Sequence, residues 1–274
     1  MPSKVQTSVQ SHHRRLWIWL IVIPGLYLLL AYVVLPALWR HYEHNSKLEH
    51  SPKTTQTAEG IPGDPLNVGL VGTKAEVVQA ILAAGWYPAD PITFKSSVGI
   101  AKSVLLKRPY PNAPVSNLYF LGRKQDLAFE LPVGNSAKER HHVRLWQTNN
   151  LSPDGRPLWL GSATFDISVE LSRFTGQITH HIDSNIDAER DNFIQSLEKA
   201  HLFTNLYQVT GVGATLLGRN GGGDWYNTDG ELTVGVLSLN NTVQSITPTR
   251  LTNPAPVEIK NRAWLWLRHL LTNQ

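Results

Sequence analysis

The chain has 274 residues with 25 Lys plus Arg against 21 Asp plus Glu, a formal charge of +4, and it is 42% hydrophobic and 17% charged. That apolar share supports a packed core and excludes a disordered chain, while the small basic excess is too weak to imply nucleic-acid binding. The absence of cysteine excludes a disulfide framework, a thiolate nucleophile and any Cys-ligated zinc or iron–sulfur site.

Residues 1–15 form an N-terminal flank. Residues 16–39 (LWIWLIVIPGLYLLLAYVVLPALW) carry no charge, and at ~1.5 Å per residue they are long enough for the ~30 Å hydrocarbon core of a bilayer. They are read as one transmembrane helix with aromatic rings toward its ends. A cleaved signal peptide has a shorter apolar region and small residues at the cut, whereas this run continues into Leu38 and Trp39. Lys4, Arg14 and Arg15 precede the helix and Arg40, Lys47 and Lys53 follow it. The counts tie, and the adjacent Arg14–Arg15 pair tips the expectation toward an N-terminus inside and a main domain outside the cytoplasm. Residues 40–65 are polar, broken by Pro and Gly, and read as a flexible linker.

Folded structure is expected over 66–245. Residues 66–71 read as a strand, and Thr73 with Glu76 as a capping box that opens a helix carrying Val77, Val78, Ile81 and Leu82 on one face and closing at Gly85. A second helix is expected over 95–106. Strands are expected over 118–121, 127–132, 141–147, 158–167 and 177–183, with SPDGRP as a hairpin turn. A helix over 186–199 follows, with Asp187, Glu189 and Asp191 early and Lys199 late, as the helix dipole favours. Two further strands are expected over 207–217 and 231–239. The fold class is α+β, a mostly antiparallel mixed sheet with packed helices, preceded by the transmembrane helix. GRNGGGDW (218–225) lacks the phosphate-loop pattern and reads as a flexible hairpin tip. Residues 246–274 supply a linker and an amphipathic helix rich in Trp and Arg, a pattern that suits an interfacial helix on lipid and equally a helix docked on the domain or against a partner.

One group of residues has the types that chemistry needs. HHVRLW (141–146) and THHID (179–183) each hold a His pair that strand alternation must split. His141 and His180 share faces with apolar neighbours and are expected in the core. His142, Arg144, Thr164, Asp166, His181 and Asp183 are then expected together on the opposite face. In one form this face is an acid–base or anion site, with His142, His181, Asp166 and Asp183 as acid–base groups and Arg144 as an anion clamp. In another, His142, His181 and Asp183 hold a divalent metal, although no metal-ligand spacing is present. In the plainest, the face is a solvated or helix-covered structural network.

The strings PLNVGLVGTKAE, AAGWYPADP, RPYPNAPVSNLYFLGRKQDLAFELPVG, RHHVRLW, DGRPLWLGSATFD, TGQITHHIDSNIDAERD and TDGELTVGVLS together resemble the LssY C-terminal domain family, over about residues 65–239. The resemblance implies the bacterial envelope. It also implies a setting of membrane helices, or of membrane proteins of the phosphatidic-acid-phosphatase and DedA kinds. It carries no catalytic residues with it. The expected function is a single-pass, membrane-anchored binding or regulatory module of the bacterial inner membrane with a periplasmic domain. The alternative is a membrane-tethered hydrolase of phosphate esters. The expected partners are the lipid bilayer, through residues 16–39, and another envelope membrane protein, with no nucleic acid.

Overall fold

A computed structural model describes the chain apart from residues 1–5, 44–47, 49–50, 91–105, 107–114, 135–137, 172–177, 214–215, 240–241, 245–246 and 273–274. The described residues divide into two units, Met1–His44 and Asn45–Gln274.

The first unit is helical. Helix α1 (Gln6–Leu29) runs through a π turn (Leu30–Val34) into α2 (Leu35–Glu43). Its stretch Trp17–Glu43 has a mean hydropathy of 2.5 and no burial inside the protein, so it is long and apolar enough to cross a membrane.

The second unit is α+β, as the sequence pattern requires. Its strands are β1 (Thr54–Gln56), β2 (Pro62–Pro65), β3 (Val68–Val71), β4 (Tyr87–Pro88), β5 (Tyr119–Phe120), β6 (Arg123–Lys124), β7 (Leu127–Pro132) and β8 (Arg140–Leu151), followed by β9 (Pro157–Leu171), β10 (Ile178–Ile182), β11 (Phe203–Thr210), β12 (Leu217–Arg219), β13 (Trp225–Asn227), β14 (Glu231–Leu237) and β15 (Thr249–Arg250). Among the described residues three helices accompany them, α3 (Lys74–Ala83), α4 (Ile186–Lys199) and α5 (Ala255–Thr272). The main sheet runs β15-β11-β14-β3-β9-β8-β7-β4 with β10 paired to β9, and among the described strands only the β11–β15 and β14–β3 pairings in it are parallel. A smaller sheet runs β2-β1-β5-β6, and β12 pairs with β13.

Helix α3 opens with the expected capping box, Thr73 accepting from Glu76 N and the Glu76 carboxylate accepting from Thr73 N. One sheet face packs Val143, Leu145, Trp159 and Ala163 against Val77, Ile81, Phe193 and Leu197. The other face is buried as well: Trp146 and Leu160 lie with Leu118 and Phe120, and Trp146 Nε1 donates to the carbonyl of Arg123. A sheet covered on both sides turns the expected solvated or helix-covered face of β8 and β9 into an interior layer under the small sheet.

The described structure changes several expectations. The linker expected over 40–65 is partly folded: the helix extends to Glu43, Leu48 is buried, and β1 pairs with β2 through Thr54↔Pro65 and Gln56↔Pro62. Gly63 permits this pairing, because a Cβ there would lie 2.6 Å from Thr55 Oγ1, which donates to Asp64 O. The strand expected over 118–121 is shorter, since Leu121 and Gly122 both take positive φ and form a two-residue turn into β6. The strand expected over 207–217 ends at Thr210, where Gly211 has φ 81, and Leu217 begins the separate β12–β13 hairpin. The helix expected over 95–106 lies outside the described residues apart from Leu106.

Candidate functional site

Strand alternation sends Arg140, His142 and Arg144 of β8 to one face, and the register Arg140↔Asp166, His142↔Thr164, Arg144↔Ser162 sets them beside alternate residues of β9. On the other flank β7 brings Glu130 opposite His142. Asp166 and Thr164 are fully buried and His142 is 2% exposed. Arg140 ties the layer together: Nη1 lies 2.6 Å from Glu130 Oε2, Nε lies 3.0 Å from Asp166 Oδ2, and Nη2 lies 3.0 Å from His180 Nε2. Arg144 Nη1 reaches Asp64 Oδ2 of β2 at 3.0 Å and its Nε donates to the carbonyl of Ser116 at 2.9 Å. His142 Nε2 lies 2.5 Å from Thr164 Oγ1, and its Nδ1 lies 3.1 Å from Asp166 Oδ1, so that each of these last two atoms is the other's polar partner.

Above this layer is a cleft of about 110 Å³, floored by His142, Arg144, Asp166 and His180 and walled by Thr57, Asp64 and the glycine-rich tip Asn220–Gly222. The hairpin expected at 218–225 is therefore present, and its tip forms part of a cleft. Gly221 sits where a Cβ would meet Ile61 Cγ2 at 2.6 Å and the carbonyl of Pro62 at 2.9 Å, so the tip packs directly on the β1–β2 hairpin.

The expected residues are only partly brought together. His142, Arg144, Thr164 and Asp166 share the face the alternation assigned. His181 does not join them: its Nδ1 pairs with Asp224, beside Asn220. Asp183 accepts from Asn185 N at 2.7 Å and shapes the turn into α4. His180, expected in the core, takes the place foreseen for His181. The reason is a register shift at which His181 pairs with Ser168 and Ile182 with Asp166, leaving an extra residue on β9 that inverts the alternation beyond it. His141 lies on the helix side as expected, with Nδ1 2.6 Å from Glu189 Oε2 and its ring 4.6 Å from that of Phe165. The three candidate metal ligands His142, His181 and Asp183 are thus separated. Among the described residues no group of three or more His, Asp or Glu side chains is placed to hold a metal ion.

Electrostatics follow from burial. Burial pushes the Asp166 carboxyl up, but His142, His180 and Arg140 outweigh it and hold the group well below the usual carboxylate range. Burial lowers His142 and takes His180 down to about 4, in both cases against the pull of Asp166. A guanidinium only donates, so the His180 nitrogen beside Arg140 must accept and the ring is neutral. Burial raises Glu130 to about 8, more than Arg140 lowers it. Arg140, Glu130 and Asp64 escaped the sequence reading, which had assigned His180 to the core, although signals for two of them were present. Arg140 continues the alternation of His142 and Arg144, and Glu130 is an acid inside the otherwise apolar LAFELP.

A family model described as the LssY C-terminus matches residues 48–232. The chain belongs to the LssY C-terminal domain family. The match takes in β1 through the start of β14, and with them the whole His/Asp/Arg layer and its cleft. No curated protein and no solved structure matches the chain. The chain is thus an LssY C-terminal domain that follows an apolar helix long enough to cross a membrane.

Proposed function

We propose that this LssY C-terminal domain is a membrane-anchored binding module of the bacterial envelope. On this reading α1–α2 cross the inner membrane, the domain faces the periplasm, and the cleft takes the phosphate group of an ester. The observation that carries the ligand is the cleft floor. His142, Arg144, Asp166 and His180 face the cleft from a buried layer, and His142 Nδ1 and Asp166 Oδ1, 3.1 Å apart, have no polar partner beyond each other. The lining mixes donors (Arg144, Asn220, Thr57) with acceptors (Asp64, Asp166 and a neutral imidazole), so its ligand must both accept and donate. A phosphate monoester carrying one proton does both. A volume of about 110 Å³ also suits so compact a group, since one water needs at least ~10–15 Å³.

The test is calorimetric titration of the full chain in lipid nanodiscs with inorganic phosphate and glycerol phosphate. Saturable binding that is lost in Thr57→Val and His142→Gln proteins with unchanged circular dichroism is the expected result. No saturable heat in the folded wild type overturns the reading. The anchor is tested by alkaline extraction of membranes and N-terminal sequencing: a chain that washes off, or begins after the apolar helix, has a cleaved leader instead. A second reading, hydrolysis of the bound ester with His142 as base, is favoured by the 3.1 Å approach of Asp166 to its ring. It requires release of phosphate from glycerol phosphate that disappears in His142→Gln.

A further inference from the structure

Helix α5 docks on the domain through one face only. Val257 and Trp264 are buried, Lys260 Nζ lies 2.5 Å from Glu231 Oε1, and Arg268 Nη1 lies 2.9 Å from Asn185 Oδ1 and 3.2 Å from Asp187 Oδ2. These residues recur at helical spacing on the inner side. The outer side carries Ile259, Ala263, Trp266 and Leu270 in one stripe, with Ile259 and Trp266 each 65% exposed and Leu270 51% exposed. Exposed Arg262 and His269 flank the stripe.

A second exposed apolar element is linked to α5 indirectly, through Thr228 and Asp187. In the β12–β13 hairpin Leu217 is 55% and Trp225 is 64% exposed, with Arg219 over the Trp225 ring. Thr228 N, just beyond the hairpin, donates to the carbonyl of Leu216. Thr228 Oγ1 donates to Asp187, the carboxylate that Arg268 holds.

We propose that the outer face of α5 rests on an anionic bilayer, with Trp266, Leu270 and Ile259 at the acyl boundary and Arg262 among the headgroups. The proposal rests on the membrane-anchor reading of α1–α2, since that tether holds the domain at the lipid surface at high effective concentration. Amphipathic Trp with neighbouring cations is the composition that partitions to such an interface. A stable protein interface takes about 800 Å² from each partner together with close shape complementarity. A bilayer demands no shape complementarity.

The chain contains no cysteine, so single-cysteine proteins can be labelled cleanly with an environment-sensitive fluorophore. Ile23→Cys in α1, Ala263→Cys in α5 and Glu139→Cys in the β7–β8 connection are labelled in the full chain. Each is reconstituted into phosphatidylcholine vesicles containing phosphatidylglycerol. The expected result is a blue-shifted label at 23 and at 263, each losing most of its emission to nitroxide-bearing lipids, while the label at 139 responds only to aqueous iodide. A label at 263 that behaves like the one at 139, with 23 in lipid, overturns the proposal and leaves the anchor standing. A label at 23 outside the lipid overturns the anchor reading itself. Shielding of 263 from both lipid nitroxide and iodide means that protein covers the helix, and it too overturns the proposal. The double substitution Trp266→Ser/Leu270→Ser is expected to return the 263 label to water without moving the label at 23.

Discussion

Replacing Asp166 by Asn tests whether the buried layer behaves as one charge network. The carboxylate has no exposure, accepts from Arg140 Nε at 3.0 Å and lies 3.1 Å from His142 Nδ1. An amide of the same shape keeps one acceptor oxygen but loses the charge and turns an N–H₂ group toward groups that donate. Arg140 is then left with Glu130 as its nearest carboxyl, and burial favours the neutral form of that acid. Removing one partner from a buried ion pair costs about 3–5 kcal/mol, because a charge stays behind uncompensated. Asp166→Asn is therefore expected to lose about 3 kcal/mol or more, read as a lowered urea midpoint for the domain in the full chain. Arg250→Ala removes an ion pair to Glu198 at an arginine whose side chain is 61% exposed, and it should cost less than about 1 kcal/mol. Replacing both charges, Arg140→Met with Asp166→Leu, should recover much of the loss. A cost below about 1 kcal/mol for Asp166→Asn would refute the reasoning, because the layer would then not depend on its central charge.

Other consequences can be measured directly. Glu130 has a folded pKa of about 8, above its ordinary value of 4.5, so its contribution to stability is complete below 4.5 and is lost as pH rises through 8. His180, lowered to about 4 from 6.5, works in the opposite sense: its contribution is complete above 6.5 and is lost as pH falls toward 4. The two slopes oppose each other between about pH 4.5 and 6.5, and above that the Glu130 loss stands alone, so Glu130→Gln should abolish the fall between pH 6.5 and 8 and leave a rise below 6.5, as followed by thermal unfolding across pH 5–9. Gly221→Ala places a Cβ 2.6 Å from Ile61 Cγ2 and should lift the hairpin tip, weakening phosphate binding in calorimetry with little change in unfolding midpoint. An equal affinity would show that the tip does not wall the ligand. Lys260→Met leaves buried Glu231 without its cation and should cost about 2 kcal/mol, with faster hydrogen exchange in α5. Unchanged exchange would mean that Val257 and Trp264 alone hold the helix.

What the sequence revealed of this fold was set by periodicity. The capping box at Thr73, the charge order of α4 and the alternation through β8 and β9 are local rules, and the structure follows them. Two kinds of feature were hidden. Short strands such as β1, β2 and β6 span too few residues to show a period, and they exist because they cover Trp146 and Arg144 from above. The second kind is a break in alternation. The choice between His180 and His181 depended on one extra residue in β9, and no pattern within THHID marks it. The site was legible to the extent that its strands were regular: His142, Arg144 and Asp166 were placed together, whereas His181 and Asp183 fell elsewhere.

The charge state of the cleft bears on what can bind there. Arg144 is paired with Asp64 and Arg140 with Asp166, while burial keeps Glu130 neutral at pH 7 and the imidazoles of His142 and His180 uncharged. The layer is therefore close to locally neutral, and an arriving phosphate meets no unpaired guanidinium. Its binding must come from short hydrogen bonds to groups already in place in the cleft lining, such as Thr57, Asn220 and His142. Such bonds are insensitive to ionic strength, in contrast to attraction by an exposed cation, whose range shrinks from about 10 Å at 0.1 M salt to about 3 Å at 1 M. Phosphate affinity should thus change little over that range of sodium chloride. A tenfold fall would mean that an uncompensated cation governs entry, and that one of the two arginines leaves its carboxylate when ligand binds.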